Sequence, residues 1–171
     1  MTRGGPHRTG ASRSVGAEPF RILPSAGYKA AMSVHRLRCR VAGQGLHEIT
    51  KLIEGGVRDA VQEAGLTEGL CTLYLRHTSA SLTIQENADP AVCRDLENWM
   101  NRLVIEEDPL YTHKAEGPDD MPAHIKSALT ATSLSIPILD SRLTLGTWQG
   151  IFLWEHRYAR GDREVVLHVG A

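Results

Sequence analysis

His77, His113 and His124 stand in the segments LRHTSASLTIQENADP and YTHKAEGPDDMPAHIK, among Glu86, Glu116, Asp119 and Asp120. Imidazoles and carboxylates are ligands for zinc and related divalent ions, and histidine also moves protons near neutral pH. Packing alone explains such crowding poorly. The spacing is no metal-site signature, because His113 and His124 are eleven residues apart and only the fold can bring them together. A lone histidine is more often a hydrogen-bonded structural residue than a ligand. Glu116, Asp119 and Asp120 equally suit loop solvation and helix capping. Glu106, Glu107 and Asp108 read as a solvated charge run, and His7, His35 and His47 have no comparable setting.

The chain that must position these groups has 171 residues, 42% hydrophobic and 23% charged, enough for one core and one domain. A formal net charge of −1 gives no bulk electrostatic reason to bind nucleic acid or an anionic membrane. Cys39, Cys71 and Cys93 are odd in number and form no CxxC, which argues against a disulfide framework or a thiolate zinc site and fits a reducing cytoplasm. No apolar run approaches the ~20 residues that span a bilayer. Residues Met1 to Gly27 are rich in Gly, Ser, Pro and Arg, with Glu18 as the only acid, and residues 1–31 are set aside as a tail. That tail reads as disordered. Met32, directly before the first patterned strand, also allows a mistaken start, and the Arg-rich leader allows an organelle transit peptide.

From Val34 the alternation of His35, Leu37, Cys39 and Val41 with Arg36, Arg38 and Arg40 predicts a strand with its arginines outward. Gly43 and Gly45 turn into a helical pattern of Leu46, Ile49, Ile53, Val57 and Val61 that ends at Gly65 and is weakened by Gly55 and Gly56. Strands follow over Leu70 to His77 and Ala80 to Glu86, expected to be neighbours. Pro90 opens a helix with Val92, Leu96, Trp99 or Met100, and Leu103 as its core stripe. A long loop from Glu106 to Asp120 leads to a third helix with Pro122 in its first turn and Asp119 or Asp120 near its cap. Strands over Ser133 to Leu139, Arg142 to Thr147, Ile151 to Glu155 and Arg163 to Val169 complete an α+β fold, a mostly antiparallel, sandwich-like core with two to three helices.

Strand parity places His77 at the rim of the core and directs Glu86 inward, so the two are expected to converge. His113 lies in the long loop, and His124 lies in the first turn of the third helix. In LTLGTWQG, Gly146 and Gly150 bracket Trp148 and Gln149, which suggests a bulge or close backbone approach, with Trp148 as core or pocket wall.

His77 to Pro90, Tyr111 to Lys126, the SIPI run and LGTWQGIFLWEHR from Leu145 to Arg157 together resemble the YjbQ family, formerly an uncharacterised protein family and also labelled secondary thiamine-phosphate synthase. Four ordered motifs carry the resemblance, from about Met32 to the C-terminus. It implies a compact α+β domain, a homotrimer, and a polar subunit-interface pocket with metal or anion binding. The label implies a transferase joining a hydroxymethylpyrimidine diphosphate to a thiazole phosphate, with pyrophosphate leaving, as a main or secondary capacity. Such chemistry needs charge stabilisation on the leaving group, although a glycine-rich phosphate loop is missing. The implied site has a divalent ion, zinc or magnesium, on His113, His124 and Asp120, with His77 and Glu86 as the catalytic groups. His77 would be a general acid/base or third ligand, and Glu86 or Asp120 would orient or ligate. Thr78, Ser79, Asn87, Lys126, Thr147, Gln149 and Arg157 would contact a small phosphorylated substrate. A hydrolase using the same pocket, or a non-catalytic ligand- or metal-binding trimer, are the alternatives. Ala131 and Asp140-Ser141 depart from the glycine-containing turns expected of the family.

Overall fold

The computed structural model describes residues 31–171, so the expectations for the N-terminal tail lie outside the described residues, apart from Ala31 just before the first strand. The described chain is α+β, with every strand pair antiparallel. One sheet has the order β1-β8-β3-β5-β6, formed by Met32–Val41, Gly161–Gly170, Gly69–Leu75, Ser133–Leu139 and Arg142–Leu143. The other has the order β2-β7-β4, formed by Gly45–Glu48, Gln149–Glu155 and Ala80–Glu86. Helices α1 (Thr50–Ala64), α2 (Pro90–Leu103) and α3 (Asp120–Leu129) complete it. None is long and apolar enough to cross a membrane.

Alternation builds the core. On the five-stranded sheet Cys71, Leu73, Leu75, Ile136, Ile138, Val165, Leu167 and Val169 are buried together with Ile53, Val57 and Val61 of α1 and with Leu82, Ile151 and Leu153 of the second sheet. Full burial of each such side chain contributes roughly 1.5–3 kcal/mol, so this sandwich carries the stability. Gly56 is a seat rather than a weakness, since a Cβ there would lie 3.0 Å from Leu37 Cδ1 and 3.2 Å from Leu167 Cδ1. Burial raises the thiols of Cys39 and Cys71 to about 11 and about 12, so neither is a thiolate, and all three cysteines are free.

Four expectations are corrected. Leu46 lies on β2, not in a helix, because the chain reverses at Gly43 and Gly45 and pairs with β7 before α1 begins. β3 and β4 belong to different sheets: β3 runs between β8 and β5, whereas β4 pairs with β7. Alternation reports which side faces the core, and both strands face the same core from opposite walls. β6 stops at Leu143, because the following residues turn back through Gly146 instead of extending. On α2, Met100 is buried with Val104 and Trp154, while Trp99 and Leu103 are exposed.

The outer face of the second sheet holds a buried histidine. His156, just after β7, is buried, and its Nε2 lies 3.0 Å from Ser81 Oγ. Burial, reinforced by the Lys126 charge, lowers the ring to about 3. Between that value and the ordinary 6.5, the unfolded chain binds a proton that the folded chain refuses. Stability contributed by the neutral ring is therefore full above 6.5 and falls as pH drops towards 3, by up to ~1.4 kcal/mol per unit. Urea unfolding at pH 6.5 and pH 5 should show wild type losing roughly 2 kcal/mol more than His156→Gln; equal losses would refute it. A second prediction concerns the β5–β6 turn, where Asp140 and Ser141 have φ of 49° and 62°. Glycine takes this conformation without steric cost, so Ser141→Gly should raise stability by about 1 kcal/mol in the same assay.

Candidate functional site

Two residues beyond β7, Arg157 gathers the long loop and the start of α3. Its Nη2 donates to Glu116 O at 2.7 Å, its Nε to Asp119 Oδ2 at 3.0 Å, and its Nη1 to Asp120 Oδ1. Asp119 occupies the N-cap position of α3 but makes no side-chain cap bond, because its Oδ2 also accepts the Tyr158 N–H at 2.8 Å. Burial alone would raise this carboxyl; the Tyr158 N–H and the Arg157 guanidinium outweigh it and hold Asp119 below its ordinary value.

With Asp120 fixed, three side chains converge. Asp120 is 1% exposed, and its Oδ2 lies 2.7 Å from His113 Nε2. Its Oδ1 lies 3.6 Å from His124 Nε2, one helical turn along α3. The two imidazoles meet edge to face with centroids 5.6 Å apart. One potential ligand atom from each residue falls within a group no wider than 4.8 Å. Despite the short approach of His113, Asp120 Oδ2 receives no hydrogen bond: the atoms are close but not in donor–acceptor alignment. A buried carboxylate oxygen without a donor is costly, and a cation between it and the imidazoles would satisfy it. The donor set fits a divalent ion.

One peptide group sets the histidine tautomers. Thr78 O lies 3.2 Å from His124 Nδ1, and a carbonyl only accepts, so Nδ1 carries the proton and Nε2 presents its lone pair towards Asp120. The other end of the same peptide, Ser79 N–H, donates to His77 Nδ1 at 3.0 Å. Neutral His77 therefore carries its proton on Nε2. Burial lowers its pKa, assisted by Arg163 and Arg157, against the pull of Glu155.

Over residues 36–171 the chain matches the family described as UPF0047 protein YjbQ-like. The chain belongs to this family. It is 55% identical over 127 residues to a UPF0047 protein of Synechocystis, covering 74% of this chain and 84% of that one. It is 44% identical to the YjbQ protein of Escherichia coli O157:H7 over 123 residues, covering 72% and 86%. A crystal structure of a conserved hypothetical protein from Thermus thermophilus is similar at 36% identity and a TM-score of 0.67, covering 77% of this chain and 97% of that one.

In this YjbQ-like chain the residues expected in one pocket divide between two ends of the second sheet. His77, Thr78, His113, Asp120, His124 and Arg157 gather where β4 begins and β7 ends. Glu86 pairs with Gln149 at the opposite end of the seven-residue β4, roughly 20 Å away at ~3.3 Å per residue. Glu86 lies at the wrong end of β4 to converge with His77. Asn87 Nδ2 donates to Glu48 Oε1, and Gln149 Oε1 accepts the Gly146 N–H at 2.8 Å, closing its own turn. Trp148 and Thr147 are exposed, so Trp148 is neither core nor wall of a buried pocket. Gly150 is a close approach, as expected: a Cβ would lie 2.9 Å from Asn87 Cβ. Lys126 is buried and donates to Asn101 Oδ1 at 2.5 Å. Ser79 is buried and serves through its backbone.

Sequence reasoning missed the ion pair beside His77. Glu155 is fully buried, accepting from Arg163 Nε at 2.6 Å and from Arg157 N at 2.9 Å. The signal was present, since Glu155 shares strand parity with Ile151 and Leu153. Replacing Arg157 leaves buried carboxylates without their cation, so Arg157→Gln should lower stability by roughly 2–4 kcal/mol. Adding Asp120→Asn should recover part of that loss in urea denaturation, and strict additivity would show that the pair does not interact.

Proposed function

We propose that this chain is a divalent-metal-dependent enzyme acting on a small phosphorylated molecule, with His113, Asp120 and His124 as the metal ligands. The observation that supports it is Asp120 Oδ2, buried without a hydrogen-bond donor 2.7 Å from His113 Nε2, with His124 Nε2 3.6 Å from Oδ1 of the same carboxylate. When bound, the ion supplies Lewis-acid charge to a phosphoryl or pyrophosphate oxygen. Thr78 O fixes His124 as a ligand by holding its Nδ1 proton, and Arg157 holds Asp120 in place.

His77 takes a different part. With Nδ1 accepting from Ser79 N–H, its Nε2–H is a donor and not a ligand, and its lowered pKa keeps it neutral near pH 7. It hydrogen-bonds the departing or transferred phosphate oxygen as charge builds there. The reaction class is displacement of a phosphate or pyrophosphate, and thiamine-phosphate synthase-like transfer is one member of it. Glu86 is too far along β4 to share in that step.

The reading includes assembly as a homotrimer, supported by exposed Trp99, Leu103 and Ile105 on α2 and the residues after it. Light scattering should then return three times the 18.8 kDa chain mass.

The central test is metal content after challenge with zinc, manganese or magnesium. Wild type should retain one ion per chain, and His113→Ala, Asp120→Asn and His124→Ala should each weaken retention at least tenfold. His77→Ala should leave the ion in place while lowering pyrophosphate release from a pyrimidine diphosphate and thiazole phosphate mixture roughly 100-fold. A protein that retains no ion, or a His124→Ala variant that retains it as wild type does, sinks the reading.

A further inference from the structure

Lys126 follows His124 by two residues, ~200° around α3, so the two side chains leave the helix on opposite sides. It is 3% exposed, and Asn101 Oδ1 on α2, at 2.5 Å, is its one hydrogen-bond partner among the described residues. No carboxylate forms an ion pair with it there. Burying an ammonium on one neutral acceptor is costly. The bond is the first link of a chain. Asn101 Nδ2 donates to Gln44 Oε1 at 3.4 Å, and Gln44 Nε2 donates to His156 O at 3.0 Å. Gln44 is presented by the reversal between β1 and β2, where Gly43 and Gly45 have φ of 136° and 135°. His156 directly precedes Arg157.

We propose that Lys126, Asn101 and Gln44 are positioning residues for the His113–Asp120–His124 cluster, a hydrogen-bonded brace that fixes α3 against the end of β7. Their role towards a bound ion rests on the metal reading above; the brace itself does not.

The two ends of the brace are the two elements that build the site. α3 supplies Asp120 and His124, and the end of β7 supplies Arg157, whose guanidinium holds Asp120. Lys126 and the two amides join the same elements by a second route, so a closed ring runs from Arg157 through Asp120 and α3 and back to His156. Around Lys126 the other contacts set the helix less sharply. Ser127 Oγ ties it to Ala80 O at 3.1 Å, and Ile125 packs on the apolar cluster of Met100, Val104 and Trp154, a contact without direction. The chain also has one polarity. An ammonium only donates and a carbonyl only accepts, so positions 101 and 44 each need an acceptor facing one way and a donor facing the other. An amide supplies both; a carboxylate supplies the acceptor alone.

Competition between the protein and a chelator for zinc, run beside urea unfolding of the metal-free protein, tests the brace. Lys126→Met should weaken zinc binding about tenfold, as changes behind the ligands of a metal do. Its metal-free stability should stay level or rise, because a thioether replaces a buried ammonium and water can reach the half-buried Asn101. Asn101→Asp keeps the acceptor for Lys126 and loses the donor to Gln44, so it should weaken zinc to the same extent. Gln44→Ala should do likewise, and combining it with Lys126→Met should weaken zinc no further, since either change breaks the same chain. Zinc bound as tightly as by wild type in both single variants, a zinc loss matched by an equal loss of metal-free stability, or losses that add in the double variant overturns the brace. Failure of the metal reading would look different: wild type would bind no zinc. Nitrogen NMR shifts of the neutral His124 ring in the metal-free protein then decide the brace alone. Wild type should show one Nδ1–H tautomer, held by Thr78 O, and Lys126→Met and Gln44→Ala a mixture of both; a single tautomer in both variants overturns it.

Discussion

Arg157 is the constraint on which the site depends. A loop as long as the one between α2 and α3 is ordinarily mobile, and nothing in its composition would hold it against the sheet. One guanidinium does so by spreading its donors over Glu116 O, Asp119 and Asp120 while its backbone N–H engages Glu155. The arrangement works because each carboxylate needs the cation as much as the loop does. Buried carboxylates lose several kcal/mol of hydration, which a well-aligned arginine and a backbone N–H largely offset. Position in the chain follows from the end of β7. Trp154 faces outward to α2, Glu155 inward to Arg163, and His156 outward again to Ser81, so Arg157 is the first residue free of the ladder.

A second constraint comes from the crossing between sheets. Residues 76–79 leave the five-stranded sheet at Leu75 and enter the three-stranded sheet at Ala80. A peptide in such a crossing has no strand partner, so its N–H and C=O must find other partners. The Thr78–Ser79 peptide finds two imidazoles and, being a donor at one end and an acceptor at the other, gives them opposite tautomers. His124 is left with a lone pair towards Asp120 and His77 with a proton. A residue that looks like a substrate contact in the sequence thus acts through its backbone, one step behind the two imidazoles.

Much of the fold was legible because period-two alternation and cap chemistry are local. β4 and α2 fall on the expected residues, with Pro90 in the first turn of α2 and the Asp89 side chain accepting the Ala91 N–H at 2.8 Å. The inward parity of β1 also holds, with Cys39 and Val41 buried and the three arginines exposed. Pairing was not legible. Strands that line opposite walls of one core share the same alternation as strands that lie side by side, so β3 and β4 looked like neighbours. The site inherits that ambiguity. With β3 and β4 in one sheet, Glu86 can be imagined beside His77; with a crossing between sheets, the length of β4 separates them. The set of His113, Asp120 and His124 was implied by the family resemblance and not by spacing, and the hold of Arg157 on Asp120 is invisible until β7 is placed.

The two ends of the second sheet illustrate how satisfaction of polar groups separates structure from site. At the GTWQG end, Glu48 Oε1 accepts from Thr50 and Asn87, the Thr50 hydroxyl in turn accepts the Ile151 N–H, and Gln149 closes the Gly146 turn. Those polar residues complete one another, and the Gly150 backbone packs too closely against Asn87 to admit a ligand between them. At the other end, Asp120 Oδ2 is buried 2.7 Å from His113 Nε2 without a hydrogen bond, and His124 Nε2 lies 3.6 Å from Oδ1. The carboxylate is clamped from behind by Arg157 and His124 is held from behind by Thr78 O, with one candidate ligand atom from each of His113, Asp120 and His124 within 4.8 Å of the others. Support from outside and an unmet acceptor inside distinguish this end of the sheet from the GTWQG end, where Glu48, Asn87 and Gln149 all have partners.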